Sequence, residues 1–231
     1  MRKIGLIGGT GPESTVMYYK ELNSRTDKRT GGKMMPDIAI DSVDFHRAWN
    51  SVTNADYKGL SDYLADKARS LKAGGSEVIA LTAGTMHIVY DEVCAKSGVD
   101  LISIPKAVCE KAGKEGYKKV LLLGTIFTME NDYMKKDLRD SGIEVVVPDK
   151  DERELIARRI YEELESGIVR EETLKEFLDI ISAIRESRGI EAVILGCTEL
   201  PLLLNPGNTP LPLLDSVDIH IDKLLELAMA E

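Results

Sequence analysis

Seven short apolar runs alternate with long amphipathic stretches along the 231 residues, and the pattern repeats once. Gly75-Ser-Glu-Val-Ile-Ala-Leu81 resembles Gly189-Ile-Glu-Ala-Val-Ile-Leu195 at an offset of 114 residues. Ile4-Gly-Leu-Ile-Gly-Gly-Thr10 resembles Val120-Leu-Leu-Leu-Gly-Thr125 at an offset near 115. Matching offsets point to a duplicated unit, each copy with a glycine turn after its first strand. Residues 4–8, 37–43, 77–81, 119–123, 143–147, 192–195 and 211–214 read as strands, apolar enough to be buried on both faces as parallel strands are. Residues 12–28, 56–72, 129–141, 152–167, 171–188 and 217–229 read as helices. Alternation of this kind predicts an α/β fold with mostly parallel sheets. The predicted domains are residues 1–104 plus 211–231 as the first half and 105–210 as the second. Two such halves facing each other would bring their strand ends to one cleft, where α/β sheets bind ligands.

Composition narrows the function. With 43% hydrophobic and 30% charged residues, the chain has the apolar content of a folded domain and excludes intrinsic disorder. No apolar run approaches the roughly 18–20 residues of a membrane span. The apolar stretch after Met1-Arg2-Lys3 ends at the Gly8-Gly9 pair, too soon for a secretory signal, so the expectation is a cytoplasmic protein without a membrane partner. A net charge of −9 argues against a nucleic-acid partner. Cys94, Cys109 and Cys197 are odd in number and form no Cys-x-x-Cys pair, and His46, His87 and His220 are scattered, so neither a disulfide framework nor a metal is expected.

Two strand-to-helix turns carry candidate chemistry. Gly8-Gly9-Thr10-Gly11-Pro12-Glu13-Ser14-Thr15 lacks the third glycine of a dinucleotide fingerprint and any Gly-Lys-Ser/Thr of a P-loop. Its backbone N–H groups suit a small carboxylate, with Thr10 nearby. Gly196-Cys197-Thr198-Glu199 follows the strand at 192–195 and opens a short helical stretch. A cysteine there faces a positive helix end, which predicts a lowered thiol pKa and a base or nucleophile. The repeat pairs Thr82 with Gly196, Ala83 with Cys197 and Gly84 with Thr198, so Ala83-Gly84-Thr85 is the first-half counterpart. Thr82, Thr85 and His87 are the polar groups nearest that turn.

These motifs together resemble the aspartate/glutamate racemase family of cofactor-independent amino-acid racemases. The resemblance runs through the 8–15 loop, Ser42-Val-Asp-Phe-His46, Thr85-Met-His87, Leu123-Gly-Thr-Ile-Phe-Thr-Met-Glu130, Asp151-Glu-Arg153 and Gly196-Cys-Thr-Glu199. It implies two flavodoxin-like three-layer halves about a pseudo-twofold axis, no cofactor, no metal, a small amino acid as substrate and a homodimer. It also implies one acid/base per half, which together remove the α-proton from one face and return it to the other. Cys197 is the second-half group and Thr82 the candidate in the first. Thr10, Arg47, Ala83, Gly84, Thr85, Thr125, Thr198 and Glu199 are the implied substrate-binding residues.

The sequence departs from that family at the first-half triplet, usually Cys or Thr, then Asn, then Thr. Ala83-Gly84-Thr85 lacks both the acid/base and the asparagine. Strand alternation points Thr82 away from the cleft. Arg47 can pair with a second carboxylate, whereas a lysine of some aspartate-specific relatives corresponds to Glu165. The readings that follow are racemisation or epimerisation of aspartate, glutamate or a related amino acid, or a one-cysteine decarboxylase, isomerase or carboxylate-binding relative.

Overall fold

The computed structural model describes residues 1–230. Its strands are β1 (Ile4–Gly8), β2 (Ile38–Ser42), β3 (Val78–Leu81), β4 (Lys119–Leu123), β5 (Glu144–Val146), β6 (Ala192–Leu195) and β7 (Leu213–Asp215). The helices are α1 (Pro12–Thr30), α2 (Phe45–Thr53), α3 (Tyr57–Ala73), α4 (Tyr90–Ser97), α5 (Ile104–Lys114), α6 (Ile126–Glu130), α7 (Lys136–Asp140), α8 (Lys150–Glu162), α9 (Glu171–Arg188), α10 (Leu200–Leu203) and α11 (Ser216–Met229). Short 3₁₀ turns cover Gly84–Val89 and Leu164–Ser166.

The chain divides into two compact units, Met1–Ile104 with the chain from His220 onward, and Pro105–Ile219. All strand pairs are parallel. The first unit orders its strands β2-β1-β3, and Ile102 extends the edge through a single bridge to Ala80. The second orders them β5-β4-β6-β7. The orders correspond element for element, so the sequence repeat is a repeat of topology. Register fixes the equivalence: Ile7 pairs with Leu81 and Leu123 with Leu195, which makes Ala83 the counterpart of Cys197.

Residues 211–219, assigned to the first half from sequence, belong to the second unit. Residues 213–215 pair with β6 along its length, and a strand is grouped with the sheet that takes its hydrogen bonds. The chain passes between units inside α5 and α11 rather than through a linker, so composition carries no mark of the boundary.

The strands that hold the two candidate turns are buried on both faces: every residue of β1, β3 and β6 is buried. In the second unit Leu121, Leu123, Val193 and Leu195 pack with Ile156, Phe177 and Ile181 from α8 and α9. The helix expected at 129–141 is two short helices, because Asn131 adopts an extended backbone after α6. α8 begins at a capping box in which Asp149 accepts from the Glu152 N–H and Glu152 from the Asp149 N–H.

Candidate active site

In the first unit three loops follow the carboxyl ends of the parallel strands. The 8–15 loop is shaped by close approach. Gly9 has φ +87°, and a β-carbon there would lie 2.5 Å from the Val43 carbonyl oxygen, so only glycine fits. The Gly9 N–H donates to Thr15 Oγ1 at 2.9 Å, and Ser14 Oγ donates to the Thr82 carbonyl at 2.7 Å. The third glycine of a dinucleotide fingerprint is thus replaced by a serine that fastens α1 to the end of β3. Thr10 lies buried in this loop.

Thr82 is 1% exposed. Its hydroxyl is 3.2 Å from Thr15 Oγ1 and 3.4 Å from the Ile7 carbonyl, so it is spent on α1 and β1. Ala83 follows in an extended conformation and caps the 3₁₀ turn, and Ala83, Gly84 and Thr85 are half-buried. His87 ties that turn down: its Nδ1 is 3.2 Å from the Ala83 carbonyl and 3.1 Å from the Gly84 carbonyl. Its Nε2 accepts the Ile104 N–H at 3.1 Å. Carbonyls only accept, so Nδ1 carries the proton; Nδ1 holds the turn and Nε2 ties it to the start of α5. Arg47 is exposed on α2, its guanidinium 4.0 Å from the centre of the Tyr63 ring. With Asp44, His46, Asn50, Ser51 and Asn54 it lines an open polar depression of about 580 Å³.

In the second unit Cys197 is the second residue after β6. It packs against the hydrophobic core and is half-buried. The backbone amides of Glu199 and Leu200 favour its ionised form, as the start of a helix does. The thiol pKa is nevertheless raised: burial is the largest cause, and the Glu199 carboxylate adds to it against the two amides. The lowered pKa expected from position is therefore overturned. α10 has four residues, too few to present a full helix dipole, and desolvation disfavours the thiolate. The Thr198 hydroxyl donates to the Glu199 carboxylate. Leu164 packs in the same core as Leu200 and Leu203. The neighbouring Glu165 carboxyl is raised above its ordinary pKa by partial desolvation and then by Glu199.

Thr125 caps α6 at the end of β4, accepting the Thr128 N–H at 3.3 Å. Sequence reasoning passed over Thr128, which is 3% exposed and bonds Thr125 Oγ1 at 3.1 Å and Tyr133 Oη at 2.9 Å. The recurring Gly-Thr after β4, three residues ahead of a second threonine, was its signal. Thr125, Cys197, Thr198 and Glu199 thus all follow the carboxyl ends of the adjacent strands β4 and β6. Among the described residues no three His, Cys, Asp or Glu side chains group as metal ligands, and no helix is long and apolar enough to cross a membrane.

The profile of the Asp/Glu/Hydantoin racemase family matches residues 7–224. The chain is 41% identical to an aspartate racemase homologue from Pyrococcus horikoshii OT3, over all of both chains, with a TM-score of 0.92. A Yersinia pestis protein assigned to the Asp/Glu racemases is 36% identical over all of both chains, with a TM-score of 0.95. The broad specificity amino-acid racemase RacX of Bacillus subtilis is 23% identical over 216 residues, 92% of each chain. With its fold, its cysteine turn and a family match over nearly its whole length, the chain belongs to the Asp/Glu/Hydantoin racemase family.

Proposed function

We propose that the protein is a cofactor-independent enzyme that moves the α-proton of a small amino acid, with Cys197 as its one thiol acid/base. The observation that carries this reading is Cys197 itself, held after β6 against the core of its unit, with the backbone amides of Glu199 and Leu200 favouring its ionised form. The α-proton is weakly acidic, so abstraction needs a base and donors for the charge that develops. The raised pKa leaves the thiol neutral at pH 7, and a thiolate formed from it is a stronger base. A substrate ammonium near the thiol and Glu199 lowers the cost of forming it, since an opposite charge favours the ionised form.

The first unit supplies no equivalent group. A methyl at Ala83 neither gives nor takes a proton, Thr82 is turned into the fold, and His87 has both nitrogens occupied. This favours one-base exchange over efficient racemisation. Two carboxyl groups, Glu165 and Glu199, stand at the cysteine turn and bias it against a dicarboxylate side chain. The substrate panel therefore runs from aspartate and glutamate to neutral and basic amino acids.

Solvent deuterium incorporation at Cα, followed by NMR over that panel, tests the reading. Exchange is expected with at least one amino acid and is expected to fall by about 10²-fold or more in Cys197→Ala. No exchange across the panel, or exchange that survives Cys197→Ala, rejects it.

A further inference from the structure

The residue ahead of Cys197 has very little room. The Gly196 N–H donates to the Leu123 carbonyl at 2.8 Å, and a β-carbon on Gly196 would lie 2.8 Å from that same oxygen. It would also lie 3.0 Å from Thr128 Cγ2. A β-carbon on Gly124 would meet the same methyl at 3.0 Å. The Thr128 methyl thus fills the space between two glycines, one at the end of β4 and one at the end of β6. Its hydroxyl bonds separately to Thr125 and Tyr133.

The first unit uses a threonine in the same way. A β-carbon on Gly8 would lie 2.6 Å from Thr15 Cγ2. The Thr15 hydroxyl reaches Thr82, the counterpart of Gly196, at 3.2 Å. Where the first unit joins threonine and turn through two hydroxyls, the second joins them through a methyl packed on glycine.

We propose that Thr128 is a positioning residue for Cys197, its methyl fixing Gly196 and so holding the thiol in its half-buried setting. The proposal rests on the reading of Cys197 given above. With the methyl removed, the turn relaxes into the space left behind and water reaches the sulfur. Burial opposes the thiolate more than the two amides favour it, so the expected result is a more reactive thiol.

The test is alkylation by iodoacetamide across pH, each cysteine followed by peptide mass spectrometry, in the parent, Thr128→Ser and Thr128→Val. Serine keeps the hydroxyl and removes the methyl; valine does the reverse. In Thr128→Ser the Cys197 rate is expected to rise about three- to tenfold, the effect of lowering a thiol pKa by about half to one unit, with its pH profile moved down. Cys109, in the same unit, reports general loosening and is expected to keep its rate. Thr128→Val is expected to alkylate at Cys197 as the parent does. A Cys197 rate in Thr128→Ser that is unchanged or slower, an equal rise at Cys109, or an equal change in Thr128→Val overturns the proposal. None of these readouts needs turnover, so a parent that fails to exchange α-protons rejects the enzymatic reading separately.

Discussion

Two glycines and a threonine decide where Cys197 stands. Gly196 is there because a side chain would strike a backbone oxygen, which cannot move aside as a flexible side chain can. Gly196→Ala is expected to destabilise the protein by about 1–3 kcal/mol, the usual cost of overpacking a close contact, measured as a lower urea midpoint. Thr128→Val leaves the hydroxyls of Thr125 and Tyr133 without the bonds they make to Thr128 Oγ1. That variant is expected to lose about 1–3 kcal/mol in the same experiment. Destabilisation by valine with no change at Cys197 separates the hydroxyl's role from the methyl's.

Short elements, not the long helices, build both turns. The 3₁₀ turn at Gly84–Val89 stands through His87, and α10 is a single turn of helix beneath Cys197. The long helices were legible from their periodicity: α9 runs over the residues its pattern predicts, 171–188. α2 was not, since nine residues offer too few periods to read. The chain's return to the first half, expected from residue 211, takes place at His220, a buried histidine within α11. His220 Nε2 donates to the Ile102 carbonyl at 3.0 Å and Nδ1 accepts from Tyr18 Oη at 2.7 Å. Burial, and then the neighbouring His87 imidazole, lowers its pKa to about 3. An unfolded histidine titrates near 6.5, so below that pH the unfolded chain binds a proton the native state refuses. The stability present above about pH 6.5 is therefore lost as pH falls toward 3, by up to about 1.4 kcal/mol per pH unit from this group. Urea unfolding at pH 7 and pH 5 is expected to show a smaller loss in His220→Gln than in the parent, and an equal loss in both refutes the assignment.

At the scale of the molecule, the duplicated sheet explains both what the sequence shows and what it conceals. Matching glycine-ended strands exposed the repeat, and strand register fixes Ala83 as the counterpart of Cys197. Thr82 adjoins that position, but its burial against Thr15 depends on tertiary packing that the motif alone does not carry. The raised thiol pKa was likewise hidden, because position suggests the amides and only packing reveals the desolvation that outweighs them. If the missing first-unit group is what limits inversion, restoring it restores racemisation. Gly84 is not among the positive-φ glycines, so a side chain there carries no backbone strain. Ala83→Cys/Gly84→Asn is expected to raise enantiomer conversion by about 10²–10⁴-fold, the contribution of one acid/base partner. Chiral chromatography of the product checks this.

The central claim, one thiol without a partner base, is tested most directly by starting from a single enantiomer in deuterium oxide. The substrate recovered with its original configuration is then analysed before the enantiomers equilibrate. A lone thiol removes the α-proton and returns a deuteron to the same face. The prediction is that the recovered starting enantiomer carries deuterium at Cα well in excess of the amount inverted. If deuterium is found only in the opposite enantiomer while the recovered substrate keeps its proton, a second base is at work and the account is contradicted.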